Sequence, residues 1–401
     1  MRSESCDIFC NVIDNYGDIG VCWRLARQLS SEHGFAVRLW VDDLHSLAKL
    51  CPEADATLTS QYRRGVTVCL WSKNFSFVLP ADLVIEAFAC KLPAIYIEAM
   101  AAQPVHPVWI NLEYLSAEEW VESHHKLPSP HPSLPLTKYF FFPGFTKKTG
   151  GLLLERDLLA RRDAFRNDAM RQQAFWRSFG MEMPMAETLK ISLFAYENVA
   201  LAGLFDVWAN GTQPVLCLVP EGRILPQVKQ YFENVGRDSS RHGGCVGMKH
   251  DLQSYSRGNL CVRVLPFVEQ ERYDELLWAC DVNFVRGEDS FVRAQWAGRP
   301  FIWQIYPQHD AVHLKKLQAF LMLYNEQLSQ SASQAVWGLW QDWNGGGEAG
   351  HAWPAFAAEL SEVNRRAQDW ARQLAENDLA LNLLDFCREI GRIRALKNEG
   401  Q

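Results

Sequence analysis

Short apolar runs recur along this chain at the spacing of β–α units, and they do so in two series. The first series occupies residues 7–13, 36–41, 66–70, 83–87, 94–97 and 108–111. The second occupies residues 189–194, 215–219, 262–265, 282–285 and 301–305. Helical patterns separate many of these runs, most clearly at 21–30, 200–209, 271–279, 290–297 and 312–324. Strands that alternate with helices predict parallel sheets covered on both faces.

Two such series predict an α/β protein with two doubly wound, Rossmann-like domains facing a cleft. The chain has 401 residues, and a single core rarely grows beyond about 250–300 residues. We place the domains at 1–155 and 185–372, with a linker helix at 156–184 between them. The helical tail from about residue 373 to 401 is expected to pack back on the first domain. Prolines at 127–136 exclude a helix or central strand, so this stretch is predicted to be a loop.

Composition narrows the class of partner. The formal net charge of −7 argues against broad nucleic-acid binding and is compatible with a basic protein partner. No apolar stretch reaches the ~18–20 residues that span a bilayer, and Cys6–Cys10 does not resemble a signal peptide. Eleven cysteines, scattered and mostly within apolar runs, predict buried reduced thiols in a cytosolic protein.

No pattern in the sequence indicates a metal site. His309 and His313 have the i,i+4 spacing of a zinc helix, but Asp310 replaces the glutamate of that motif and no third ligand is evident. They are better interpreted as polar residues at the entry of a helix. We therefore expect no metal and no other cofactor.

The loop after the first predicted strand, residues 14–20, reads Asp-Asn-Tyr-Gly-Asp-Ile-Gly. Ligands of doubly wound sheets bind beyond the carboxyl ends of the strands, so this loop is a candidate site. It lacks the G-x-G-x-x-G spacing of dinucleotide sites, and Asp14 and Asp18 stand where a pyrophosphate needs bare amides. The two acids indicate a site for a cation. The alternative for Asp18 is that it only caps the following helix.

A second candidate site lies at residues 286–290, Arg-Gly-Glu-Asp-Ser, where a predicted strand gives way to a helix. The first amides of a helix and its dipole attract phosphate. Gly287 allows close approach of the backbone, and Asp289 can accept hydrogen bonds from ribose-type hydroxyls. The segment therefore predicts a site for a charged ligand such as a nucleotide.

Aromatic and polar residues follow two other strands of the second series. Phe267 can stack on a nucleobase and Gln270 can read a base edge, although Phe267 could equally pack as a hydrophobic staple for the next helix. Phe194 and Tyr196 alternate and so share one face, which is either ligand cleft or core. Arg223 could add a phosphate-facing cation.

Three motifs together resemble one family of enzymes. Residues 14–20, Leu265-Pro-Phe-Val268 and the run from Phe284 to Gly298 look like the protein-arginine rhamnosyltransferases called EarP. The resemblance implies a GT-B fold, dTDP-β-L-rhamnose as donor and an arginine of translation elongation factor P as acceptor. It also implies inversion at the anomeric carbon, independence of metals and a cytoplasmic location. Modified elongation factor P would then rescue ribosomes stalled at polyproline.

The resemblance also implies roles for individual residues. Asp18 matches a general base, Asp14 a companion acid, and Glu288 a third essential carboxylate that faces either sugar hydroxyls or the acceptor cation. The remaining predicted site residues bind substrate: Asn15, Tyr16, Gly17, Tyr196, Phe267, Gln270, Tyr273, Arg286, Gly287, Asp289 and Ser290. The Gly- and Ser-rich stretch at 236–258 does not align and is interpreted as a variable surface insertion.

Other functions fit parts of the pattern. A GT-B transferase could use a UDP- or GDP-sugar on a glycan or lipid, although a hydroxyl acceptor usually needs only one base. A non-catalytic nucleotide-sugar sensor would not need Asp14 and Asp18. An NAD-dependent oxidoreductase is disfavoured by the missing glycine fingerprint.

Overall fold

The computed structural model describes residues 4–13, 16–236, 253–307 and 312–399. The chain divides into two compact units. Unit 1 comprises Met1–Arg156 together with Leu374–Gln401, and unit 2 comprises Asp157–Gln373. The tail of the chain thus belongs to the same unit as its beginning, and the segment predicted as a linker helix belongs to unit 2.

Unit 1 is built on an eight-stranded sheet. Its strands are β1 (Ser5–Cys10), β2 (Ala36–Val41), β3 (Ser60–Arg63), β4 (Val66–Leu70), β5 (Leu83–Ala87), β6 (Val108–Leu112), β7 (Pro128–Pro130) and β8 (Thr137–Phe141). Their order is β3-β4-β2-β1-β5-β6-β8-β7, with β3 and β7 antiparallel to their neighbours and the other pairs parallel. Its helices are α1 (Gly17–His33), α2 (Leu44–Leu50), α3 (Ala94–Ala101), α4 (Trp120–His124) and α15 (Leu379–Glu399).

Strand β1 lies at the centre of this sheet, between β2 and β5. The order of the strands reverses at β1, which makes its carboxyl end the topological switch point where doubly wound sheets bind ligands. Asp7 anchors the strand from its fully buried position, where its carboxylate accepts hydrogen bonds from Arg38 at 2.6 Å and from Trp40 Nε1 at 3.1 Å. The loop after β1 therefore starts from a rigid position.

Unit 2 is built on a six-stranded sheet. Its strands are β9 (Leu189–Leu193), β10 (Val215–Pro220), β11 (Ser254–Arg257), β12 (Leu260–Leu265), β13 (Val282–Arg286) and β14 (Phe301–Gln304), in the order β11-β12-β10-β9-β13-β14. Only β11, at one edge, is antiparallel to its neighbour. The helices between and before these strands are α5 (Leu158–Asn167), α6 (Ala169–Ser178), α7 (Leu201–Asn210), α8 (Leu225–Gly236), α9 (Gln270–Ala279) and α10 (Asp289–Ala297). Four more follow: α11 (Val312–Asn325), α12 (Gln330–Gly345), α13 (Ala349–Ala358) and α14 (Leu360–Leu374).

The predicted strand at 94–97 is wrong, because these residues begin α3. A four-residue apolar run cannot distinguish a strand from a buried helix by its pattern alone. The residues that α3 buries, Tyr96, Ala99 and Met100, have helical spacing, whereas Ile95 is 41% exposed. Pro93 directly precedes the helix, a position where its missing N–H leaves no bond unmade.

Two other predictions need correction in detail. The proline-rich stretch at 127–136 is not only loop, since Pro128–Pro130 forms the edge strand β7 against β8, a position where proline is tolerated. The helical pattern after residue 156 is two helices, because the Asp168 side chain accepts from the N–H groups of Met170 and Arg171 and so caps a second helix, α6.

Nine cysteines are free thiols in the described part of the chain, and eight of them are buried. Cys261, half-buried on β12, is disulfide-bonded, so the prediction of a reduced thiol is wrong there. Within the described ranges, none of the helices combines the length and apolar character needed to cross a bilayer.

Candidate functional site

The predicted nucleotide-binding residues of unit 2 gather at one edge of its sheet. Strand β9 lies between β10 and β13, so the strand order reverses there and the carboxyl end of β9 is a switch point. Tyr196 follows β9, Phe267 follows β12, and Arg286 ends β13. Parallel strands end at the same edge, which places these side chains on the ligand side of the sheet.

Arg286 is the central residue of this edge. Its side chain is buried, and its guanidinium carbon lies 4.5 Å from the ring centroid of Phe194 and 4.6 Å from that of Tyr196. Tyr273 packs edge-on against Phe194, with ring centroids 5.6 Å apart. Contacts between a cation and aromatic faces hold the guanidinium in one place. Phe194 and Tyr196 therefore pack on Arg286 at the edge of the sheet where the ligand site is predicted.

The junction between β13 and α10 is fixed by the backbone of Arg286 and Gly287. Gly287 has φ +61°, a left-handed conformation that favours glycine, and its carbonyl accepts from Trp303 Nε1 at 2.7 Å. The Ser290 hydroxyl accepts from the Arg286 N–H at 3.1 Å and donates to the Arg286 carbonyl. Ser290 thus shapes the turn through its side chain. Glu288 is the half-buried N-cap of α10, and its side chain makes no capping hydrogen bond.

A buried charge network supports the start of α10. The Asp289 carboxylate accepts from Gln270 Nε2 and from Arg293 Nε, each at 3.1 Å. Arg293 also donates to both oxygens of Asp274 at 2.8 Å. Asp289 and Gln270, predicted to bind substrate, are therefore bonded to each other and tie α9 to α10. Sequence reasoning missed Arg293, although its i,i+4 spacing from Asp289 was a usable signal.

Two further predicted residues occupy the same edge. Burial raises the pKa of the Tyr273 phenol, so the group is neutral at physiological pH. Phe267 is half-buried in the segment between β12 and α9. Arg223 pairs with Glu197 at 3.1 Å and lies 5.6 Å from the Tyr196 ring centroid, which places this suggested cation beside Arg286 and its aromatic partners.

In unit 1, the Asp18 side chain joins the start of the loop after β1 to the first turn of α1. Its carboxylate is 3% exposed and accepts from the Ile13 N–H at 2.8 Å. The N-cap is Tyr16, whose side chain makes no capping hydrogen bond, and α1 begins at Gly17. Asp18 is therefore not the N-cap, and the purely capping alternative is wrong. Asp14 and Asn15 lie outside the described residues.

Asp42, at the end of β2, holds the same loop from the other side. Its carboxylate accepts from the Val12 N–H at 2.8 Å and from Asn11 Nδ2. Sequence reasoning did not single out Asp42, because only the pairing of β1 with β2 brings it to this loop. The segment before Asp14 is thus fixed by two acids.

Within the ranges that the structure describes, no cluster of three or more His, Cys, Asp or Glu side chains could hold a metal ion. His309 lies outside those ranges, as does most of the stretch at 236–258, of which the described part includes β11.

Comparison with known proteins gives consistent results over nearly the whole chain. The family model described as "Elongation-Factor P (EF-P) rhamnosyltransferase EarP" matches residues 6–388. A protein-arginine rhamnosyltransferase of Pseudomonas putida is 52% identical over 383 residues, covering 95% of this chain and 98% of the relative. One of Pseudomonas aeruginosa is 49% identical with the same coverage.

Solved structures agree with these matches. A structure described as "Structural basis for EarP-mediated arginine glycosylation of translation elongation factor EF-P" is 40% identical, with TM-score 0.66, and the match covers 96% of this chain and 99% of that one. A glycosyltransferase from Rickettsia africae is 9% identical with TM-score 0.53, covering 97% of this chain and 99% of that one, and it shows the fold alone.

Proposed function

The chain belongs to the EarP family of protein-arginine rhamnosyltransferases, and on that premise we propose that it moves L-rhamnose from dTDP-β-L-rhamnose to an arginine of translation elongation factor P. The observation that carries the donor half of this proposal is the buried Arg286 guanidinium at the start of α10. It provides a positive charge beside a helix N-terminus, the arrangement that binds a diphosphate.

Breaking the bond between rhamnose and dTDP develops negative charge on the diphosphate. A fixed guanidinium and helix amides stabilise that charge without reorganising during the reaction. Phe194 and Tyr196 keep Arg286 in position, and the Asp289–Arg293 network keeps α10 in register with α9. Phe267 is assigned to the thymine ring. No step is assigned to a metal ion or other cofactor.

The acceptor half of the proposal rests on the loop after β1. A guanidinium is a poor nucleophile, since its lone pairs are delocalised and its pKa is above about 12. In the proposal, Asp14 accepts hydrogen bonds from the N–H groups of the acceptor arginine. Asp18 removes a proton from the attacking guanidinium nitrogen as that nitrogen bonds to the anomeric carbon. The cation keeps both acids ionised, so neither needs a raised pKa. Tyr16 and Gly17 lie between these two acids in the sequence and are assigned to the same acceptor site.

The stereochemical course follows from a single displacement. The acceptor nitrogen attacks the anomeric carbon opposite the dTDP leaving group, and the β-linked donor gives an α-rhamnosyl arginine. Glu288, at the N-cap of α10, faces the sugar hydroxyls or the acceptor cation. The product, in the cytoplasm, is elongation factor P active at polyproline stalls.

Two variants of Asp18 separate its chemical role from its structural one. Asp18→Asn keeps a side-chain oxygen for the Ile13 N–H but cannot act as a base, whereas Asp18→Ala loses both. We expect Asp18→Asn to bind dTDP as the wild type does and to lose at least about 100-fold in transfer rate. The assay combines enzyme, dTDP-rhamnose and elongation factor P, and mass spectrometry measures the gain of one deoxyhexose.

The control is Asp385→Asn, the same change at an exposed position of unit 1. Transfer by Asp18→Asn at the control rate would refute the role as base. Loss of dTDP binding in Asp18→Asn would refute its assignment to the acceptor side. The assay is run with and without EDTA, and a loss of transfer on chelation would contradict the metal-free mechanism.

A further inference from the structure

A second group of cations lies in unit 2 at the edge of the sheet opposite Arg286. Lys190 is near the start of β9, and Asp281 directly precedes β13, so both are at the amino ends of their strands. Together with Arg166 of α5 and Arg299, they line a cavity of about 200 Å³. Nothing in the donor or acceptor chemistry uses this cavity.

The charges around the cavity do not balance. Lys190 Nζ pairs with Asp281 at 2.7 Å, and the Asp281 carboxylate also accepts from the Lys190 N–H at 2.9 Å. This pair is neutral as a whole. Arg166 and Arg299 therefore leave an excess of positive charge on the wall of the cavity.

Both arginines also have an unused hydrogen-bond donor. The Nε atoms of Arg166 and Arg299 are buried and have no hydrogen-bond partner among the described residues. Burial, followed by the charges of Arg299 and Arg162, lowers the pKa of Arg166 to about 9. Two half-buried guanidinium groups that repel each other are a favourable environment for an anion.

Capping of the C-terminus of α10 accounts for only some of the hydrogen-bond donors of these arginines. Arg162 donates to the Trp296 carbonyl at 2.8 Å and Arg166 to the Ala297 carbonyl, so both stabilise the C-terminus of α10. These bonds use the terminal nitrogens of the two side chains. They leave the Nε of Arg166 unused, and Arg299 takes no part in them.

We propose that the cavity between Arg166 and Arg299 binds inorganic phosphate. Guanidinium groups match phosphate in geometry, and the volume suits a small tetrahedral anion. Trp176 and Trp278 contribute apolar walls that limit access of water and so strengthen the charge interactions. The binding of phosphate here does not depend on the proposed function, whereas its separation from the donor site rests on it.

This phosphate site is distinct from the donor site, because the two lie at opposite edges of one sheet. Helix α10 spans between them, with Glu288 at its N-cap and the arginine-capped carbonyls at its C-terminus. Phosphate bound near Arg299 therefore does not compete with dTDP. A stabilising effect of phosphate should persist when dTDP saturates the donor site.

The test is a titration of full-length protein with inorganic phosphate in the presence of saturating dTDP. Sodium chloride holds the ionic strength constant, and the midpoint of thermal unfolding is measured. Phosphate should raise the midpoint of the wild type, and Arg299→Gln should weaken the apparent affinity at least tenfold. Arg299 is chosen because it makes no capping bond. Arg372→Gln, the same change at an exposed position of unit 2, should respond as the wild type does.

Phosphorus NMR supplies a second measurement that does not depend on a variant. The phosphate resonance should broaden on adding wild-type protein saturated with dTDP. Absence of broadening would overturn the proposal, as would an equal response of Arg299→Gln and the wild type. A rise of the midpoint that chloride alone reproduces would also overturn it.

Discussion

Arg286 is at once a buried residue and a predicted ligand-binding residue. Its guanidinium is buried against Phe194 and Tyr196, yet it ends the strand whose carboxyl edge faces the ligand side. Sequence reasoning identified the charge and the junction, because a strand, a glycine and a helix N-terminus are local features. It left the role of the two rings undecided, since only the pairing of β9 with β13 brings them to Arg286.

His125 makes a pH-dependent contribution to the stability of unit 1. It is half-buried, and its Nδ1 accepts from the Phe142 N–H at 3.1 Å. Burial and the neighbouring Lys126 lower its pKa from 6.5 to about 4. The unfolded chain therefore binds a proton at a higher pH than the folded protein does. The free energy of unfolding should fall as the pH is lowered from about 6.5 towards 4, and this group should have no effect above about pH 7.5.

The matched variant is His125→Gln, whose side-chain oxygen can accept the same N–H but does not titrate. Urea unfolding of both proteins at pH 7.5 and pH 5 measures the difference. The decrease in the free energy of unfolding between these pH values should be smaller in the variant. Equal decreases would show that the neutral imidazole does not contribute.

At the scale of elements, helix α10 has predicted ligand-binding residues at its N-terminus and arginine-capped carbonyls at its C-terminus. Its first turn holds Asp289 and Ser290, and its last carbonyls are capped by Arg162 and Arg166. The sequence predicted this helix at 290–297, one residue short of its start, because its apolar spacing is regular. It could not predict the caps, which come from α5, more than a hundred residues earlier.

Arg293 is predicted to be a positioning residue for the donor site. Its side chain is 3% exposed and forms ion pairs with two acids, Asp274 and Asp289. Arg293→Met should lower the free energy of unfolding by about 3–5 kcal/mol, because it removes the positive charge that two buried carboxylates share. Urea unfolding measures this loss, and dTDP binding by calorimetry should weaken with it, since Asp289 begins α10.

An exposed pair in the same unit provides the control for Arg293. Arg372 lies beside Asp369, and both side chains are more than half exposed. Arg372→Met should change the free energy of unfolding by less than about 1 kcal/mol. A comparable effect of the two substitutions would show that the network around Arg293 adds nothing beyond an ordinary surface pair.

At the scale of the whole molecule, the prediction of a GT-B glycosyltransferase fold is confirmed. Both units have a mostly parallel sheet whose first strand is central, and the match to the solved EarP structure covers 96% of the chain. The regular strands were predictable because buried parallel strands are continuous apolar runs. Strands β3, β7, β8 and β11 were not predicted, because β3, β7 and β11 are short and polar or proline-rich and β8 is half-buried along most of its length.

Unit 1 is completed by the last segment of the chain. Helix α15 contacts α1 and β6, and Phe386 packs edge-on against Tyr139 with ring centroids 5.5 Å apart. A chain ending at Gln373 loses several buried apolar side chains: Leu379, Leu383, Leu384, Phe386 and Ile390. Each contributes about 1.5–3 kcal/mol, which together approaches the whole stability of a typical domain, about 5–15 kcal/mol.

We therefore expect the truncated chain to lose unit 1 and keep unit 2. Limited proteolysis should degrade residues before 157 and leave a fragment from about 157 to 373. That fragment should still bind dTDP, as measured by calorimetry. Equal protease resistance of both units in the truncated chain would show that the tail is dispensable.

The return of the tail to unit 1 has a consequence for synthesis on the ribosome. Unit 2 is one continuous stretch and can finish folding once Gln373 has emerged, whereas the sheet of unit 1 emerges first and must wait for its last helix. More than two hundred residues separate the two parts, which at about 5–20 residues per second is a delay of roughly 10–40 s. During that interval the apolar surface that α15 covers in the folded protein is exposed to water. Until the tail has emerged, unit 1 of the nascent protein therefore exposes apolar surface of the kind that chaperones bind.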